Sequence, residues 1–188
     1  MNVLVIWSSP NIDGLTAQAK DRIVRGLEAK GAVVETAHLN HLHLEHCRAC
    51  GHGWGTCQSQ GRCVIKDDFA DLYDKCIAAE GIVFVTAVYW HDLTEQMKAF
   101  LDRLRRCETG HNGALSGKHC LLAACAGGTG RGVLECLGHL ETTLGHMQMR
   151  AYDHIGVIRY NCTYMLDTLE AAGSVYAERL ATGFDMMY

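Results

Sequence analysis

Short unbroken apolar runs alternate along the chain with segments whose apolar residues recur every three or four positions. Val3-Leu4-Val5-Ile6-Trp7 is a continuous run, the mark of a strand buried on both faces. Leu15, Ala19, Ile23 and Leu27 then repeat at helical spacing, and Gly31 stops that helix. Val33 to Leu39 predicts a second strand. After a cysteine- and glycine-rich stretch at about 40–66, Asp67-Asp68 offers N-caps to a helix with Phe69, Leu72, Tyr73, Cys76 and Ile77 on one face. Gly81 to Thr86 predicts a third strand. Asp92, with Glu95 three residues on, fits a capping box ahead of a helix that buries Leu93, Met97, Phe100, Leu101 and Leu104. Cys120 to Cys125 reads as a fourth strand, and Val133, Leu134, Leu137, Leu140 and Leu144 as the helix after it. A fifth strand falls within Met147 to Ile158, and Met165, Leu166, Leu169, Ala172, Tyr176 and Leu180 mark a closing helix. Five strands alternating with five helices call for right-handed crossovers and a parallel sheet with helices on both faces. The pattern reads as one domain over 1–188, without repeat, low-complexity tract or linker, and Pro10 is the sole proline.

Composition narrows the function classes. A net charge of −4 points neither to nucleic acid nor to an anionic membrane surface, and no apolar run is long enough to span a bilayer. Met-Asn-Val-Leu-Val-Ile-Trp reads as a first strand rather than a leader, so a cytoplasmic protein is expected. In that compartment most of the ten cysteines stay reduced. Cys76, Cys107, Cys120, Cys125, Cys136 and Cys162 fall in apolar periodic segments and read as small core hydrophobes.

Ligands of an open parallel sheet sit beyond the carboxyl ends of its strands, and three loops leave such ends. Ser8-Ser9-Pro10-Asn11-Ile12-Asp13-Gly14-Leu15-Thr16 joins a buried strand to a helix; its hydroxyls and helix-terminal N–H groups suit a phosphate monoester, or merely cap a polar turn. It is neither G-x-G-x-x-G nor a P-loop with its lysine, which disfavours a dinucleotide or ATP there. Thr86-Ala87-Val88-Tyr89-Trp90-His91-Asp92 carries adjacent aromatics able to flank a planar ring or to pack a helix onto the sheet. Ala124-Cys125-Ala126-Gly127-Gly128-Thr129-Gly130 lets the backbone approach a ligand closely, or is simply a flexible turn.

Taken together, these motifs resemble a known family. Ser8-Ser9-Pro10 with Gly14 and Thr16, then Thr86-Ala87-Val88-Tyr89, Lys98-Ala99-Phe100-Leu101-Asp102-Arg103 and Gly127-Gly128-Thr129-Gly130, are similar in order and spacing to the flavodoxin-fold NADPH-dependent FMN reductases. The cysteine loop followed by Val64-Ile65-Lys66-Asp67-Asp68-Phe69 resembles the iron–sulfur flavoprotein branch of that family. The resemblance implies a three-layer, doubly wound five-stranded sheet of order 2-1-3-4-5. It implies an FMN phosphate held by Ser8, Ser9, Asn11, Gly14, Leu15 and Thr16. It places the isoalloxazine between Ala87, Val88, Tyr89 and Trp90 on one side and Ala126, Gly127, Gly128 and Thr129 on the other. The family has proline where this chain has Ala87; alanine frees φ and restores an N–H, giving a less pre-organised loop.

Cys47, Cys50, Cys57 and Cys63 stand at C-x2-C-x6-C-x5-C, four soft ligands on one glycine-rich loop. Four outcomes stay open, in this order: a [4Fe–4S] cluster with one thiolate on each iron, thiols that bind nothing, a zinc ion held by four cysteines or with His46 or His52, and two disulfides. The family's compact form is C-x2-C-x2-C-x5-C. Here the second gap is filled by Gly51-His52-Gly53-Trp54-Gly55-Thr56, whose three glycines let it fold back. His38, His41, His43 and His46 crowd the end of the second strand and read as a solvated polar edge; Arg103, Arg105 and Arg106 follow the 92–104 helix, where they suit a helix C-terminus or a nicotinamide phosphate.

The resemblance implies reduction of FMN by NAD(P)H and delivery of electrons to a flavin, a quinone or another small acceptor, with no catalytic acid asked of the protein. Two other readings are an electron-transfer iron–sulfur flavoprotein served by a ferredoxin-like partner and a non-enzymatic flavin or zinc sensor. It also implies a homodimer or homotetramer.

Overall fold

Alternation within each apolar run decides which layer a side chain enters. In the computed structural model, which describes residues 1–184, β1 (Asn2–Ser8) sends Leu4 and Ile6 into one core and Val3, Val5 and Trp7 into the other. The chain continues through α1 (Leu15–Ala29), β2 (Val33–His38), a 3-10 turn (Leu39–His41), α2 (Thr56–Gln60), α3 (Phe69–Ala78) and β3 (Gly81–Ala87). It ends with α4 (Glu95–Gly110), β4 (His119–Ala126), α5 (Val133–Gly145), β5 (Arg150–Ile158) and α6 (Cys162–Thr182). All strand pairs are parallel and the order is β2-β1-β3-β4-β5, as expected of a flavodoxin-like sheet.

The second core lies under α1 and α6 and the first under α3, α4 and α5. The α1–α6 crossing is backbone against backbone: a Cβ on Gly26 would stand 2.0 Å from the Glu170 carbonyl oxygen, and one on Gly173 would stand 2.5 Å from that of Ile23. Among the described residues no helix is long and apolar enough to cross a membrane.

Three boundaries differ from the sequence reading. The N-cap of α4 is Thr94, whose Oγ1 accepts from the Met97 N–H at 3.3 Å. Asp92 instead closes a tight turn, exchanging backbone hydrogen bonds of 2.8 and 2.9 Å with Tyr89. Helix α4 also runs on to Gly110, so Arg103, Arg105 and Arg106 lie inside it rather than beyond its end. Lastly, β2 stops at His38, and α2 forms within the cysteine loop, a helix too short for periodicity to reveal.

Candidate functional site

The chain leaves β1 for β2 on one side and β3 for β4 on the other, so the loops after β1 and β3 part at the switch point. Ser8 closes β1 and is fully buried; its hydroxyl is 2.5 Å from that of Thr94 and donates to Asn40 Oδ1 at 3.0 Å. It ties the first loop to the start of α4 rather than facing outward. Ser9 is 5% exposed and its Oγ accepts from the Asn11 N–H at 3.3 Å; Asn11 in turn caps Asp13 N–H at 3.3 Å. Gly14 is the N-cap of α1 and has no side chain to satisfy the first N–H groups of Leu15 and Thr16. Thr16 is buried against Cys125 of β4, whose thiol burial pushes up to about 12 although the Thr16 hydroxyl acts the other way.

His38 braces this loop from β2. Its ring stacks on Trp7 at 3.7 Å and its Nε2 bonds the Ser9 carbonyl at 2.9 Å. Burial holds its pKa below the ordinary histidine value. The 3-10 turn breaks the period-two pattern and brings His41 to 4.0 Å from the His38 ring, while the His43 N–H donates to Asp68 at 2.7 Å.

The second and third loops meet in one open cleft of about 770 Å³, lined by Val88, Trp90, His91 and Ala126 through Arg131. The Val88 N–H donates to the Cys125 carbonyl at 2.9 Å, which fixes the start of the second loop to β4. Trp90 and His91 then sit at φ 47° and 69°, a left-handed pair closing the turn to Asp92. Trp90 is 98% exposed at the cleft mouth. Gly127, Gly128 and Thr129 form the facing wall and are exposed. Ala87, Tyr89 and the first-loop residues are not among the cleft's lining: Ala87 is the last residue of β3, and the first loop stands at the neighbouring strand end, with α1's uncapped N-terminus. A planar ring in the cleft with a phosphate at that helix end fits the arrangement. His91 and Arg131 also line the cleft; neither was expected as a site residue, although His91 lies in the second candidate loop, because only the closed turn brings His91 in and only the glycine run carries Arg131 there.

Cys47, Cys50, Cys57 and Cys63 are half-buried and line one narrow apolar pocket with Cys107, Arg103 and Arg106. Two arginines of α4 and one glycine seat this loop. Arg103, 1% exposed, grips both carboxylate oxygens of buried Asp67 at 2.6 and 2.8 Å, donates to the Glu45 carbonyl at 3.0 Å and lies 4.2 Å over the Phe69 ring. Burial works against the charge on Arg103, but Asp67 and then Cys63 beside it hold its pKa above the ordinary value. Arg106 donates to the Gly53 carbonyl and stands 4.8 Å over Trp54. A Cβ on Gly110 would lie 2.0 Å from the Cys57 carbonyl oxygen, so α2 rests directly on the α4 backbone. Behind the pocket, burial pushes the Cys107 thiol up to about 12, with Cys63 and Cys57 adding to the shift. Cys76, Cys120, Cys125 and Cys136 are buried in the core as expected, whereas Cys162 is only half-buried.

Four thiols on one loop are the soft donors that either an iron–sulfur cluster or a zinc ion takes; among the described residues no three His, Cys, Asp or Glu groups converge for one metal ion. The buried Nε–H of Arg103 also has no hydrogen-bond partner among the described residues, although Arg103 lines the pocket beside Cys63.

Residues 1–160 match the model of the NADPH-dependent FMN reductase family. An iron–sulfur flavoprotein of Archaeoglobus fulgidus is 31% identical over 119 residues, covering 63% of this chain and 51% of that protein. The chain spans about half the length of the curated relatives it matches most extensively. In three dimensions it is similar to a flavodoxin from the domain Archaea (TM-score 0.67, 16% identity, 96% of this chain and 99% of that one). It is equally similar to an NADH:FMN oxidoreductase in its apo form (TM-score 0.67, 19% identity, 93% and 89%). The chain belongs to the NADPH-dependent FMN reductase family.

Proposed function

We propose that this family member is an FMN-dependent NAD(P)H oxidoreductase that passes electrons to a flavin, a quinone or a similar small acceptor, with a [4Fe–4S] cluster on Cys47, Cys50, Cys57 and Cys63. The observation that carries the reading is the cleft between the second and third loops, beside an uncapped helix N-terminus at the switch point. Ser9, Asn11, Gly14, Leu15 and Thr16 hold the phosphate end, with Ser8 supporting them from below. Val88 and Trp90 bound the ring on one side, with Ala87 and Tyr89 flanking Val88 along the chain, and Ala126, Gly127, Gly128 and Thr129 on the other. Arg131, rather than the α4 arginines, is the cation placed to meet a nicotinamide nucleotide. Bound FMN supplies hydride acceptance and the exchange between two- and one-electron chemistry. The protein's own part is to orient the ring and leave its mouth open to substrates.

A specific observation also favours the electron-transfer reading, an iron–sulfur flavoprotein served by a ferredoxin-like partner: the cysteine pocket is built into α4 by Arg103 and Arg106 rather than left as a loose loop. Anaerobic purification, an absorption spectrum and assays for FMN, iron, sulfide and zinc separate these. FMN with rapid NAD(P)H oxidation supports the reductase; FMN, iron and sulfide without that oxidation supports the electron-transfer protein. A chain that retains no FMN overturns both.

A further inference from the structure

A structural clamp between Arg103 and Asp67 needs only the two terminal nitrogens of the guanidinium, and those make the fork at 2.6 and 2.8 Å. The third nitrogen, Nε, is buried with no hydrogen-bond partner among the described residues. Leaving a buried donor unmade is costly, more so on a charged group, so an orphan of this kind in a lined pocket calls for an occupant. The pocket's lining includes the four cysteines, Cys107 and three arginines, Arg48, Arg103 and Arg106, and Cys63 is the sulfur beside the Arg103 guanidinium. Among the described residues no carboxylate lines the pocket to compete for the donor.

We propose that Arg103 is a positioning residue for the cysteine-bound centre, its Nε–H directed at the sulfur of Cys63 when a [4Fe–4S] cluster is bound. The inference rests on the cluster reading above. An N–H donor on a ligand sulfur stabilises the reduced, more negative cluster and raises its potential. The same side chain grips Asp67 and the Glu45 carbonyl, which flank the cysteine loop on its two sides, so one residue sets both the electrostatics of the centre and the place of the loop's ends. Neither partner can be read from spacing, because Arg103 reaches the loop across 36 residues from Asp67 and 58 from Glu45.

The test uses the full chain purified anaerobically, with iron and sulfide measured, from cells fed arginine carrying 15N in its guanidinium. Pulsed EPR of the reduced cluster is expected to show a 15N coupling that disappears in Arg103→Lys and survives in Arg106→Lys and in Arg48→Lys. Lysine keeps the charge but not the Nε–H. In Arg103→Lys the ratio of oxidised to reduced cluster at a fixed potential should rise about tenfold, equivalent to about 59 mV for one electron, with iron and sulfide content retained. If Arg103→Lys does not fold, the coupling in the unaltered chain, in Arg106→Lys and in Arg48→Lys decides alone. A loaded cluster without 15N coupling, or a coupling lost with Arg106 or Arg48 instead, overturns the inference and leaves the cluster reading standing. FMN retained with no iron or sulfide overturns both.

Discussion

Trp90 combines two features that packing alone would not select, a φ of 47° and 98% exposure. Non-glycine residues held there cost of order 1–3 kcal/mol each, and a bare indole gains nothing from burial. Trp90→Gly should therefore raise stability by about 1 kcal/mol in denaturant unfolding while weakening FMN retention in a fluorescence titration. Lower stability with unchanged retention would make Trp90 a packing residue. Arg131 makes the complementary case: Arg131→Ala should raise KM for NADPH about tenfold, the loss of ~1.4 kcal/mol that one charged contact supplies, with kcat little changed. An unchanged KM would remove it from the site. The adjacent aromatics were legible in the sequence because they follow an apolar strand. His91 and Arg131 were not, because each enters the cleft only through backbone turns of positive φ, at His91 itself and at Gly130.

Helix α4 carries the least legible part of the molecule. Its apolar face could be read from Met97, Phe100, Leu101 and Leu104, all buried as expected. Its cap and its arginines could not. Thr94 outcompetes Asp92 as N-cap because Asp92 is drawn into the Tyr89 turn, and the helix runs past the arginines because Cys107 and Glu108 still face the core. Gly110 is the sharpest test of how the cysteine loop is seated. Gly110→Ala puts a methyl against the Cys57 carbonyl, so it should cost about 1–3 kcal/mol and reduce iron and sulfide content while FMN is kept. Full loading would refute a backbone contact between α2 and α4. The Asp67–Arg103 pair sets an acid limit. Burial alone would raise the Asp67 pKa, but Arg103 and backbone N–H donors hold it below the ordinary value. Its contribution is thus complete above about pH 4 and is lost as pH falls towards the depressed value. Asp67→Asn should destabilise at pH 7 by ~3 kcal/mol, and its stability should change less between pH 4 and 2 than that of the unaltered chain. Parallel acid curves would exclude Asp67 as the titrating group.

At the scale of the molecule, the unbroken apolar runs alternating with helical segments made the parallel sheet legible from the sequence, since a strand buried on both faces feeds apolar side chains to both layers. The surface carries a different message. Ile12 (62%), Trp90 (98%), Leu134 (79%), Tyr160 (75%) and Tyr164 (61%) are exposed, and each lies in a loop, or the first turn of a helix, that follows a strand's carboxyl end. They follow β1, β3, β4 and β5 in turn, around the end where the proposed FMN site opens. Large apolar groups gathered on one rim mark an interaction surface rather than a solvated one. A second copy of the chain laid over this rim would cover the ring and leave Arg131 at the seam. On that reasoning, light scattering should give a molar mass two or four times 20.7 kDa. Tyr160→Glu combined with Tyr164→Glu should yield a monomer that folds, since neither side chain enters the core, yet retains FMN several-fold less tightly. A fully active monomer with undiminished FMN retention would show that the rim serves some other contact and that each chain binds the cofactor alone.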